Sequence, residues 1–172
     1  MNPASPSYTA RVLAWLAVSL TVIFILLGGF WYGFSAEVHH RIWQDIADRP
    51  GGPMTFRFVL QPTMAALAAL HDGIEDARTG RAPYFWTVLS SSAERLGRLQ
   101  EGIFAVARIM LLGFAMDALY QWRVLGTFYP GEAVIITLIL AVLPYFIFRG
   151  PIERVAHWWL ARHPSSRQGR QR

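Results

Sequence analysis

Cysteine and lysine are both absent from this 172-residue chain. Without cysteine there is no disulfide, no thiolate nucleophile and no Cys-ligated metal site. Without lysine, all 16 basic residues are arginine. No single physical demand places arginine at 16 unrelated positions, so the bias is read as GC-rich coding and points to a bacterial source. Also missing are a phosphate-binding P-loop, a dinucleotide fingerprint, a nucleophile elbow, a zinc-protease motif and any internal repeat. The expectation is a non-enzymatic protein with no catalytic set, no cofactor and no metal site.

What the chain has instead is apolar surface. Hydrophobic residues make up 53%, with seven Trp, eleven Phe and six Tyr. A soluble domain of this size cannot bury that much, so the excess belongs in lipid. The expected fold class is all-α, a single polytopic membrane domain.

Residues 12–34, "VLAWLAVSLTVIFILLGGFWYGF", run 23 residues without a charge. At ~1.5 Å per residue that is about 34 Å, enough for a ~30 Å hydrocarbon core. The run is too long for a cleaved signal peptide, and Phe34 stands where cleavage needs a small residue before Ala36. It reads as a transmembrane helix. A second span covers 103–125 and contains Arg108, Asp117 and Arg123. A third covers 133–148, where Pro144 introduces a kink and Arg149 caps the end.

The polar segments carry helical signals too. Val38, Ile42, Trp43 and Ile46 recur at helical spacing, so 35–53 contains a short amphipathic helix ended by "RPGGP". Tyr84, Phe85 and Trp86 read as an interfacial aromatic anchor. Ser91 or Ser92 starts the next helix. The basic tail, about 163–172, has the composition of a disordered segment.

The segment "RFVLQPTMAALAAL", residues 57–70, decides the topology. Its uncharged part, 58–70, has 13 residues, and runs of ~10–14 are more often interfacial than spanning. Pro62 suits a first helical turn, and "HDGIEDAR" is too polar for hydrocarbon. This predicts an interfacial helix over 62–79, stopped by Gly80. Arginine counts put the tail and the 71–102 loop in the cytoplasm and the 126–132 turn outside. The expected topology is three spans, N-terminus out and C-terminus in, in a bacterial inner membrane. The alternative is four spans with the N-terminus in.

Several residues are out of place. Asp117 sits within a span, where a carboxylate costs ~2.5–3.5 kcal/mol on insertion scales, so it should face protein or water. Gln121 and Gly113, one turn to either side, give it a polar face that a partner helix can approach. Ser19, Thr21 and Thr137 are hydroxyls that could bond it. Gly29 and Gly33 match a helix-packing spacing. Arg108 and Arg123 snorkel to the two interfaces. Arg149, Arg154, Trp158, Trp159 and Arg162 suit anionic lipid headgroups better than nucleic acid. His39 and His40 point to different faces and find no third ligand.

The strings "FRFVLQPTMAALAALHDGIEDARTGRAPYFW", "YPGEA" and "PYFIFRGP" resemble a set of small bacterial inner-membrane proteins without known activity. The resemblance covers about residues 54–155 and implies a location. The expected role is an accessory or interaction subunit, with lipid and a membrane-protein partner or a second copy as contacts. The competing role is a subunit of an oligomeric transporter or channel using Asp117.

Overall fold

The computed structural model describes residues 6–33, 35–80, 84–90 and 92–162; the basic tail lies outside them, as do Phe34 and Ser91. The described residues form seven α-helices: α1 (Tyr8–Tyr32), α2 (Ala36–Asp48), α3 (Arg57–Thr79), α4 (Tyr84–Ser90), α5 (Ser92–Tyr120), α6 (Pro130–Thr137) and α7 (Leu143–Arg162). No strand occurs among them, so the all-α class holds.

Three helical stretches are long and apolar enough to cross a membrane: Tyr8–Tyr32, Arg95–Leu125 and Pro130–Arg162. The first is apolar on all sides, yet only 17% of its most apolar window is buried. A helix hydrophobic all round and not covered by protein belongs against lipid. Ser7 caps its start by accepting the Ala10 N–H at 3.2 Å. Gly33 ends it with φ 68°, a left-handed conformation open to glycine.

The third stretch is longer than the 16 residues expected from 133–148. It continues through a widened π-helical turn, Leu138–Val142, into α7. Pro144 comes two residues after that turn; its missing N–H cannot bond Leu140, and the wide turn accommodates that loss instead of a helix end. Arg149 therefore caps nothing.

α3 also departs from expectation. It starts at Arg57, not Pro62, after a turn in which Met54 takes a left-handed φ of 67°. Gly80 stops it in the left-handed conformation, as expected. α3 packs along α7 and also meets α5; it is not one of the three stretches long and apolar enough to cross a membrane. Gln61, Ala65, Ala69, Gly73 and Ala77 form its buried stripe. Small residues at this spacing let backbones close in. A Cβ on Gly73 would sit 3.1 Å from the Arg149 carbonyl oxygen and 3.2 Å from the Glu153 nitrogen.

The bundle thus has four rods, with α5 and α6–α7 flanked by α1 on one side and α3 on the other. The Tyr32 hydroxyl donates to the Phe128 carbonyl at 2.9 Å, so α1 ends beside the α5–α6 turn. Its first residues, Ala10 and Arg11, share a groove with Asp72 and Arg149 at the opposite end. The start of α1 and the Arg149 turn of α7 therefore lie at the same end of the bundle. The core between the rods holds Ala17, Ala69, Ala107, Phe114, Val134 and Tyr145. Phe24 meets Phe114 edge-on at 5.3 Å.

α2 is amphipathic, as expected, and has no fully buried residue. Tyr84 is 1% exposed, so it is a core residue and not an interfacial anchor. The side chains of Phe85 and Trp86 lie outside the described residues.

Candidate functional site: two buried charge clusters

The polar residues of the bundle gather at its two ends. At the end carrying the α5–α6 turn, Asp117 of α5 is fully buried. Its Oδ1 accepts from Arg57 at 2.8 Å and from Arg49, and its Oδ2 accepts from Gln121 at 2.6 Å. Glu132, at the start of α6, accepts from Arg49 at 2.8 Å and from Arg41 at 2.9 Å. Gln121 also donates to the Tyr129 carbonyl at 3.1 Å, tying the turn shut.

Local sequence explains how these groups meet. Arg57 opens α3, Arg49 sits in the short 3-10 turn after α2, and Gln121 stands one helical turn past Asp117, on the same face. Tyr120 presents its ring to both guanidiniums, at 4.9 Å from Arg49 and 5.2 Å from Arg57. Two buried arginines and two buried carboxylates neutralise each other, which is what low-dielectric surroundings demand.

At the other end Asp76 of α3 plays the matching part. Arg98 of α5 donates to its Oδ1 at 2.9 Å and Arg149 of α7 to its Oδ2 at 2.6 Å. The Arg149 guanidinium also donates to the Tyr145 hydroxyl and lies 3.8 Å from the Tyr84 ring centroid. The Tyr145 hydroxyl donates to Asp72 at 2.7 Å. The Tyr84 backbone N–H donates to Glu153 at 3.0 Å. Burial pushes the Tyr84 phenol up to about 12, against the pull of the Arg149 charge.

The residues singled out in the sequence divide cleanly. Asp117 and Gln121 are bonded to each other inside the first cluster. Gly113 lies one turn below, where a Cβ would fall 2.6 Å from Gln61 and 3.0 Å from Thr137. The hydroxyls offered as partners for Asp117 do not reach it: Thr21 bonds the Ala17 carbonyl of its own helix, and Thr137 Oγ1 has no hydrogen-bond partner. Close approach by α1 is made at Gly28, whose Cβ would lie 3.0 Å from the Gly131 nitrogen, while Gly33 has open space around it. Arg108, Arg123, Arg154, Trp158, Trp159 and Arg162 are exposed. Arg149, grouped with them in the sequence, is 2% exposed and belongs to the second cluster.

Arg49, Arg57, Asp76, Arg98 and Glu132 were not singled out. One signal could have found three of them, Arg57, Asp76 and Arg98. Arg57 and Asp76 stand 19 residues apart on α3, and Arg98 and Asp117 stand 19 apart on α5. Opposite charges at equal spacing fit two antiparallel helices paired at both ends.

Among the described residues no group of three His, Asp or Glu is placed to hold a metal. The chain matches no protein-family model, no curated protein and no solved structure.

Proposed function

We propose that this chain is a four-crossing protein of a bacterial inner membrane that acts by packing against a partner, as an accessory or interaction subunit, and not by catalysis. The observation that supports this is the state of Asp117. Both of its oxygens are committed to Arg49, Arg57 and Gln121, so the intramembrane carboxylate serves as a tie between α3, α5 and the segment after α2. An Asp lining an ion path would face water or a cavity.

The fourth crossing is α3. Its two ion-paired ends are separated by 19 residues, about 28 Å at ~1.5 Å each, close to the ~30 Å hydrocarbon thickness. Both termini then share one side. The arginines of the 71–102 loop and of the tail make that side the cytoplasm. The polar segment 35–56 lies outside. α1, with most of its surface uncovered by its own chain, is the face open to lipid and to a partner helix.

Affinity purification in mild detergent at native expression, with the mass and composition of the complex determined, tests the role. A defined complex with a different membrane protein is expected. A pure homo-oligomer whose Asp117→Asn variant assembles but loses ion flux would overturn it in favour of a pore.

A further inference from the structure

The geometry points to a seat for one lipid acyl chain between α1, α2 and α6, at the end of the bundle that carries the first charge cluster. A groove of about 270 Å³ opens there, lined by Ile25 and Gly29 of α1, Val38 and Ile42 of α2, and Val134 and Ile135 of α6. This is near the lower limit of small-molecule pockets, roughly 300 Å³, so it suits a narrow chain and not a folded ligand.

The groove has a structural cause. Gly28 and Gly131 meet backbone to backbone and pin α1 to α6. Beside that contact Gly29 contributes no side chain, and α2 roofs the gap with an apolar face that has no fully buried residue. The rim is polar: His39 reaches the Ser35 carbonyl through Nδ1 at 3.2 Å, and Arg41 is paired. Arg41 bonds Glu132 at 2.9 Å and Asp45 at 3.5 Å, and stacks 3.8 Å from the Tyr129 ring centroid. A guanidinium shared by two carboxylates and an aromatic face asks for no further anion. The occupant is therefore defined by its apolar chain and not by a charged headgroup. Two of the three walls are membrane-crossing helices, so the bilayer is the source of that chain. This rests on the membrane reading above.

The test reconstitutes the full chain in discs of phosphatidylethanolamine and phosphatidylglycerol, then exchanges it into mild detergent for native mass spectrometry. One retained phospholipid per chain is expected, of either headgroup. Val38→Trp and Ile42→Trp, which fill the groove from its roof, should lose it. Leu26→Trp, on the exposed side of α1, should keep it. Equal retention in the filled variants, or retention that follows headgroup charge, overturns the proposal. A second arm needs no variant. A phospholipid with a photoreactive acyl chain should crosslink to Val38, Ile42 or Ile135 in the wild-type protein, and crosslinks confined to the outer faces of α1 and α7 overturn it. Recovery of the chain from cells without detergent would remove the membrane reading itself, and the acyl occupant with it.

Discussion

Arg57 donates to Asp117 at 2.8 Å, and 19 residues further along α3 Asp76 accepts from Arg98 at 2.9 Å. The two pairs have reversed polarity on the two helices. They hold α3 antiparallel to α5 in one register, because a shift by a helical turn would bury four charges unpaired. Buried ion pairs add little net stability over a well-packed apolar pair, but breaking one is severe.

Asp117→Ala should therefore destabilise the protein by about 3–5 kcal/mol, since Arg57 stays buried without a carboxylate and Arg49 keeps only Glu132. The combined Arg57→Met, Asp117→Leu variant should recover most of that loss. Thermal melts in one detergent read the difference. Equal damage in the single and combined variants would mean that the pair is not the source.

Arg149 and Arg154 make a sharper comparison, because both were expected at the lipid interface. Arg149→Met removes a donor to Asp76 and Tyr145 and a ring contact with Tyr84. Hydrogen bonds to charged groups contribute about 1.5–3 kcal/mol, and a loss of that order is expected. Arg154→Met, at an exposed position, should stay within about 0.5 kcal/mol. The same melts decide it; equal effects would contradict the buried placement of Arg149.

Gly73 and Gly97 should respond with opposite signs. A Cβ at Gly73 presses on the α7 backbone and lies 2.9 Å from Ile152. Gly73→Ala should cost about 1–3 kcal/mol by overpacking. Gly97, exposed in α5 with nothing within 4 Å, should gain up to roughly 0.8–1.0 kcal/mol as alanine through helix propensity. A neutral Gly73→Ala would mean that α3 and α7 are not in close contact.

The three apolar stretches were legible because hydropathy is a property of consecutive residues. A helix over 62–79 with its stop at Gly80 was legible too, but its packing against α7 was not, because that lies in its partners. Arg57 and Asp76 look like breaks in an apolar run, yet each charge is cancelled by a residue on another helix. Its packing stripe is built from alanine and glycine, which add little hydropathy but allow α7 to close in. Arg149 was misplaced for a related reason. At the end of an apolar run it reads as a helix end, and only Asp76 and the Tyr84 ring turn it inward. Gly33 matched a packing spacing, but its left-handed φ shows that it ends the helix instead. The contact falls one residue from the motif, at Gly28.

In the proposed four-crossing topology α3 has its two ends on opposite sides of the membrane. The native absence of cysteine makes the test direct. Ser35→Cys, just before α2, and Thr79→Cys, at the exposed last residue of α3, are each introduced alone. Intact cells are treated with a membrane-impermeant maleimide. Labelling of Ser35→Cys from outside, with Thr79→Cys labelled only after permeabilisation, is the predicted result. Identical labelling at the two positions would contradict the fourth crossing and return α3 to the membrane surface.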